Sequence, residues 1–183
     1  DVSCVYERFA KTMLRSAMEL HTANSNPDPV TGKQISFGLI RMANIGPLTQ
    51  VALAMFKEEL PENYRVHLCI YHSQYPLLMR SAIERELDAT LNRKEQDAIF
   101  KVPRIRQLLN THPEKNQLFV VLGSPVTEVG RDHDYDWAVI EPSSMRSLIQ
   151  LSGRIRRHRP ESWAVVNQHT LARNLKSVKT PGK

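Results

Sequence analysis

The chain has 183 residues, 41% of them hydrophobic and 24% charged, which is one domain's worth of sequence with enough apolar residues for a core and excludes a disordered tail. No apolar run approaches the roughly 18 residues of a membrane span, so an integral membrane helix is excluded as well. The net charge of +6 is lopsided: residues 1–100 carry a net −1 and residues 101–183 a net +7, with five arginines and no acid between Arg146 and Arg159.

Residues 1–22 open the chain with Val2, Val5, Phe9, Met13, Ala17 and Leu20 at spacings of three and four, the pattern of an amphipathic helix. The first ten residues carry charge where a secretion signal needs an apolar stretch. Residues 23–34 hold two prolines and a glycine and read as a linker loop that sets the helix apart from the rest of the chain. An alternation then begins. A short β-type run at 35–40 precedes a helix at 48–60, with Pro47 in its first turn. A strand at 66–71 precedes a charge-rich helix at 77–91, and 94–109 is helical with an interruption at Pro103. A continuous apolar strand at 118–122 and another at 137–140 lead to a helix at 143–155, with Ser143 as its N-cap. A last strand is expected at 163–166, and 169–183 reads as a basic tail or linker stub. Cys4 and Cys69 match no zinc spacing and are read as reduced thiols of a cytoplasmic protein.

Strands alternating with helices predict an α/β fold over 35–168, a mainly parallel sheet flanked by helices. The strands are uniformly apolar, as expected where both faces are covered. In such sheets ligands bind beyond the carboxyl ends of the strands, so the chemistry is sought there.

Two segments stand out. After the strand at 137–140, Gln150-Leu-Ser-Gly153-Arg154-Ile-Arg-Arg157 has the pattern Q-x-x-G-R-x-x-R. A helix continuing that far would place Gln150, Arg154 and Arg157 on one stripe. Met145, Leu148, Ile149 and Ser152 would form another, facing the sheet, and Gly153 would leave room for close backbone approach. Arginine offers a rigid fork of donors that fits phosphate oxygens; the bland alternative is a solvated basic face. After the strand at 118–122, Ser124-Pro-Val-Thr127-Glu128-Val-Gly130-Arg131-Asp132 starts on a hydroxyl and ends on Gly-x-Asp. Such a loop can offer hydroxyls and backbone N–H groups to a nucleic-acid backbone, or it is an ordinary polar turn.

Taken together, S-x-x-x-x-x-G-x-D succeeded by strand, helix and Q-x-x-G-R-x-x-R resembles motifs V and VI of superfamily-two helicases, in the order found in their second RecA-like domain. Residues 35–60 look like the strand and helix of motif IV. Tyr71-His72-Ser73, with Arg80 eight residues after His72, looks like the histidine-containing segment that comes next in those proteins. The wording from Thr127 through Trp137, then Glu141-Pro-Ser-Ser144, then Gln150 through His158-Arg159, is similar to the helicase–nuclease of type I CRISPR interference, nearest its I-F branch.

The resemblance implies a RecA-like three-layer domain and a set of roles. Arg154 and Arg157 match the arginine fingers that reach the ATP γ-phosphate, and Gln150 and Gly153 the same cleft. Gly130 and Asp132 match the nucleotide side of motif V, Ser124 and Thr127 its DNA side. Asn44 and His72 are further candidates for the DNA strand. It also implies single-stranded DNA, a first RecA-like domain and a nuclease domain of the same protein, and an RNA-guided surveillance complex as partners, with ATP and Mg as cofactors of the full-length protein and no membrane. Three features depart from the pattern: Arg131 stands where an apolar residue is usual, Ser124 replaces the usual opening Thr, and Arg156 and Arg159 supplement the motif VI arginines.

The sequence contains no G-x-x-x-x-G-K-[ST] loop, since Gly32-Lys33 is succeeded by Gln34, and no D-E-x-H or D-E-x-D box. The expectation is therefore half of an ATP site, with no metal, no cofactor bound and no ATPase activity in this chain alone. Two rival readings stand beside this one. A non-enzymatic nucleic-acid-binding module would use Arg154 and Arg157 only as phosphate clamps on DNA. A metal nuclease would use Asp132-His133-Asp134-Tyr-Asp136, although His21, His72, His112 and His158 lack the spacing to complete such a site.

Overall fold

The computed structural model describes residues 2–93, 98–128, 132–158 and 164–179. Five strands form a parallel sheet: β2 (Gln34–Arg41), β3 (Tyr64–Tyr71), β4 (Asn116–Gly123), β5 (Trp137–Ile140) and β6 (Gln168–Thr170), in the order β3-β4-β2-β5-β6. A two-residue strand, β1 (Asn26–Pro27), pairs antiparallel with the start of β2. The helices are α1 (Val2–Asn24), α2 (Ile45–Lys57), α3 (Leu77–Leu91), α4 (Pro103–Thr111), α5 (Met145–Ser152) and α6 (Leu175–Lys179), with 3-10 turns at Ala98–Lys101 and Pro125–Glu128.

In β2, β4 and β5 the side chains alternate between two covered faces, which is why the interiors of these runs are apolar. Leu118, Val120 and Leu122 of β4 join one core with α1 and α2; Phe119 and Val121 join the other with α3, α4 and Leu151 of α5. Likewise Trp137 and Val139 face α1 and α2, while Ala138 and Ile140 face the opposite layer. This is the α/β fold with a mainly parallel sheet flanked by helices that the sequence predicted.

Three sequence expectations change. First, α1 is not set apart. Its apolar stripe, Ala10, Met13, Leu14, Ala17 and Leu20, is buried in the same core as α2 and the sheet. The segment after it is fastened at both ends of its turn. Asp28 accepts two hydrogen bonds from the Arg106 guanidinium (2.7 and 2.8 Å), and the Lys33 ammonium donates to the Leu109 and His112 carbonyls at the end of α4. Second, the described residues at 164–166 carry no strand, and Val165 and Val166 are exposed; the last strand is the polar Gln168–Thr170. Third, the segment expected as a loose tail contributes this strand and α6, whose Leu175 is fully buried.

Gly38 marks the tightest point of the sheet. It lies opposite Trp137 in the register, and a Cβ there would come within 2.2 Å of the indole. The indole N–H in turn donates to Ser36 Oγ at 2.8 Å. No helix among the described residues is long and apolar enough to cross a membrane.

Candidate functional site

Four strands finish level. Arg41 stands opposite Gly123 and Ile140, and Tyr71 opposite Gly123. The loops leaving β2, β3, β4 and β5 therefore emerge side by side along one rim, where parallel sheets place their ligands.

The loop after β4 starts tightly. The Ser124 N–H donates to the Tyr71 carbonyl (3.1 Å), and both the N–H and the hydroxyl of Thr127 donate to the Ser124 carbonyl at 3.0 Å. Gly123 is needed there, because a Cβ would lie 2.3 Å from the Thr127 methyl. The 3-10 turn folds both hydroxyl residues inward, and each is only 1% exposed. This corrects the expectation that Ser124 and Thr127 present hydroxyls to DNA: both side chains are buried, and Thr127 spends its hydroxyl on the Ser124 carbonyl. Gly130, Arg131 and Arg159 lie outside the described residues.

Beyond the loop, the acids and imidazole of the possible metal-ligand run turn to different partners. Asp132 is half-exposed and pairs with His158 Nε2 (2.9 Å) and Arg157 Nη1 (3.3 Å). His133 pairs with Asp88 at 2.8 Å. Buried Asp134 accepts from the backbone N–H groups of Arg157 and His158 (3.1 and 3.4 Å). Buried Asp136 accepts from the Phe37 N–H (2.6 Å) and from both arms of Arg93 (3.0 and 2.9 Å). Among the described residues no group of three or more His, Cys, Asp or Glu is placed to hold a metal ion, so the residues do not fit a metal site, of nuclease or of Mg type.

Helix α5 differs from its expected stripes. Ser144, not Ser143, is the N-cap, accepting from the Ser147 N–H at 3.2 Å. The helix buries Ser147 and Leu151, while Met145 and Ile149 are 72% and 69% exposed. The cause is polar. Ser147 is drawn to the rim by hydrogen bonds with Arg41 and Glu128 (2.6 Å each), which rotates Met145 and Ile149 outward. The helix also stops at Ser152, where Gly153 donates back to the Ile149 carbonyl (3.2 Å). A Cβ at Gly153 would meet only ordinary contacts of 3.6 Å or more, and its φ of −70° and ψ of −2° are open to any residue, so the position relieves no crowding and does not itself require glycine.

Hence Gln150, Arg154 and Arg157 do not share a helical stripe. Gln150 is exposed on the helix. Arg154 lies in the next turn of chain, only 9% exposed, with Nη2 donating to the Glu128 carbonyl at 2.8 Å; burial lowers its pKa. Ile155 then pairs with Tyr135 in an isolated parallel bridge, and Arg156 adopts the left-handed region at φ 54°, uncommon for a residue other than glycine. That reversal sends the Arg157 side chain outward, 48% exposed.

Asn44 is the N-cap of α2 but makes no side-chain cap hydrogen bond. A cap oxygen usually accepts from the second or third helical N–H, and the third residue here is Pro47, which has none. Asn44 is half-buried at the rim end of α2. His72 stacks on Tyr75, with rings 4.0 Å apart and inclined by 16°. Its Nδ1 accepts from the Gln74 N–H at 3.3 Å, and burial lowers its pKa.

Sequence reasoning missed the group at the centre of the rim. Arg41, 2% exposed, donates to Glu128 Oε1 (2.6 Å), the Glu141 carbonyl (2.9 Å), Ser143 Oγ (2.7 Å) and Ser147 Oγ (2.6 Å). The Glu141 carboxylate accepts from the Ala43 and Leu175 N–H groups (2.6 and 2.7 Å). The available signal was a charged residue at the very end of each of two apolar strands.

The model of the family described as CRISPR-associated nuclease/helicase Cas3, C-terminal, matches residues 34–160. The chain is 56% identical over 149 residues to the CRISPR-associated nuclease/helicase Cas3 subtype I-F/YPEST of Pseudomonas aeruginosa (strain UCBPP-PA14), covering 80% of this chain and 14% of the relative. It is 45% identical over 178 residues to the protein of the same name from Pectobacterium atrosepticum, covering 96% of this chain and 16% of the relative. The crystal structure of T. fusca Cas3-ATP superposes with a TM-score of 0.57 at 16% identity, covering 88% of this chain and 16% of that one. The chain thus spans about a seventh of the length of these relatives, and the distant structural neighbour shares its RecA-like fold. With two subtype I-F relatives and a family model over residues 34–160, the chain belongs to the C-terminal family of the CRISPR-associated nuclease/helicase Cas3.

Proposed function

We propose that this chain is the second RecA-like lobe of an ATP-dependent single-stranded-DNA translocase, acting within a full-length helicase–nuclease that unwinds and degrades invading DNA. The first lobe and the nuclease domain belong to other parts of that protein, which works in the cytoplasm with an RNA-guided surveillance complex. The observation that carries the reading is the placement of the motif VI turn. It emerges on the carboxyl rim beside the loop after β4, with Arg154 bonded to that loop and Arg157 turned outward.

The donor set fits a triphosphate. The ion pair between Arg157 and Asp132 is exposed on both sides, and such pairs stabilise by only about 0–1 kcal/mol, so Arg157 can exchange Asp132 for phosphate oxygens. Arg154 reaches the same place by exchanging the Glu128 carbonyl. Exposed Gln150 lines the cleft from α5, with Gly153 and Asp132 on the same side; Gly130 is assigned to the nucleotide from the motif alone. ATP supplies the phosphoanhydride whose cleavage drives movement. The arginines' part is to stabilise charge on the transferring phosphoryl group; Mg is assigned to the first lobe, in keeping with the lack of a D-E-x-H or D-E-x-D box in this sequence. The DNA strand lies along the same rim at Asn44 and His72, held through its backbone and by stacking on the His72–Tyr75 pair.

The test uses the full-length protein with Arg157→Ala. ATP turnover should fall by at least about 100-fold, in line with the weight of arginine fingers, while single-stranded-DNA affinity stays within about threefold. Retained turnover with weakened, less salt-dependent DNA binding would instead identify a phosphate clamp. The isolated chain should hydrolyse no ATP.

A further inference from the structure

The rim's candidate residues sit on the loops after β2, β3, β4 and β5, and one side chain at the end of β2 joins the last two. Arg41 ends the central strand β2. Its guanidinium reaches Glu128 in the loop after β4, the Glu141 carbonyl at the end of β5, and Ser143 and Ser147 at the start of α5. Glu128 is bonded twice more. Its carboxylate accepts from Ser147 Oγ, and its carbonyl accepts from Arg154. Glu141 ties in the segment before α2 by accepting from the Ala43 N–H, next to Asn44. Arg41 and Glu128 are 2% and 9% exposed, so their attraction is little screened by solvent.

We propose that Arg41 is a positioning residue that makes the DNA-facing and ATP-facing loops of this lobe move as one body. The inference rests on the ATP-dependent translocase reading and adds the element that couples its two sites. Because Glu128 is gripped through its side chain by Arg41 and Ser147, a shift of the loop after β4 carries α5 and Arg154 with it. A DNA strand pressing on the rim at Asn44 therefore moves the arginine turn, and closure of the turn on ATP moves the rim. The planar fork is essential, since it serves three partner elements at once. Lysine keeps the charge but lacks that fork.

The experiment uses the full-length helicase–nuclease with Arg41→Lys, Arg41→Met, the double variant Arg41→Met/Glu128→Gln, and Arg157→Ala alongside. The readouts are the ratio of DNA-stimulated to unstimulated ATP turnover, the KM for ATP and the melting midpoint. Misplacing the arginine turn by an ångström should cut the stimulation ratio about tenfold or more in Arg41→Lys, with the KM for ATP within about twofold. Arg41→Met leaves Glu128 buried without its cation and should melt early. The double variant removes both charges and should recover the melting midpoint but not the stimulation ratio. Wild-type stimulation in Arg41→Lys, or stimulation recovered together with stability in the double variant, overturns the proposal by showing that Arg41 only holds the fold. Full turnover in Arg157→Ala overturns the underlying translocase reading and the proposal with it, whereas low turnover there with normal stimulation in Arg41→Lys overturns the proposal alone.

Discussion

The two ends of the parallel sheet use similar polar chemistry for opposite purposes. At the amino end, Asp28 meets Arg106, His21 meets Ser36 and Asn116, and Lys33 meets the last carbonyls of α4. These groups fasten α1 and the turn after it to the sheet and to α4. At the carboxyl rim, Arg41, Glu128 and Ser147 are similarly shielded from solvent, but exposed side chains stand beside their network: Gln150 on α5 and Arg157 in the turn after it, with Asn44 half-buried at the start of α2. One network closes the fold, and the other, on the proposed reading, holds the residues offered to a ligand. Substitutions at the amino end should therefore cost stability without touching function, and those at the outer rim should do the reverse.

The largest stability effect is expected from Asp28→Ala. The Asp28 side chain is fully buried and accepts from both arms of Arg106 and from the N–H and hydroxyl of Thr31. Arg106 holds the Asp28 carboxyl far below the usual carboxylate range. Breaking a buried pair on one side costs about 3 kcal/mol, or roughly a 5–10 °C fall in melting midpoint for a domain of this size. In the full-length protein, DNA affinity and ATP turnover per folded molecule should be unchanged. A matching loss of turnover would show that the two ends are not separable.

Next in size is an acid effect at His21. Burial pushes this imidazole down to about 4 from an ordinary 6.5. The folded state therefore binds the proton less readily than the unfolded chain. Stability is complete above pH 6.5 and declines as pH falls from 6.5 towards 4. At pH 5 the loss is about 2 kcal/mol, from 1.36 kcal/mol for each unit of pH. Denaturant unfolding at pH 7 and pH 5 measures it. His21→Gln should flatten the dependence in that window, and an unchanged slope in the variant would remove His21 from the account.

The same contrast governs what the sequence disclosed. Strands β2, β4 and β5 are legible because both faces are covered and their interiors are apolar runs, whereas β3, a half-buried edge strand, is legible from Val66, Leu68 and Ile70. Strand β6 is not: Gln168, His169 and Thr170 carry no apolar pattern, and only three residues pair at the sheet's edge. Leu175 gives no periodic signal in so short a helix. The motif VI arginines are legible as residues but not as geometry. Gly153 is a helix-stop signal, yet the even spacing of Gln150, Arg154 and Arg157 suggests a continuous helix. Ser124 and Thr127 read as surface hydroxyls because nothing local shows that a 3-10 turn folds them inward. The Arg41 network was hidden by distance, since its partners Glu128 and Ser147 lie 87 and 106 residues further along the chain.

The smallest stability effect, and the sharpest test of the rim, is Asn44→Ala. Removing an N-cap asparagine ordinarily costs about 1 kcal/mol, because the side chain satisfies a free helical N–H. Here it satisfies none, and the helical position it would serve is partly taken by Pro47. The melting midpoint should accordingly move by less than about 1 °C, a change under roughly 0.5 kcal/mol. Single-stranded-DNA affinity of the full-length protein should fall about threefold, the loss of one modest hydrogen bond to the backbone. A cap residue that costs little stability but weakens DNA binding is one held for the ligand rather than for the helix. The opposite outcome, an early melt with DNA binding intact, would return Asn44 to the fold and leave the outer rim without its polar contact on α2.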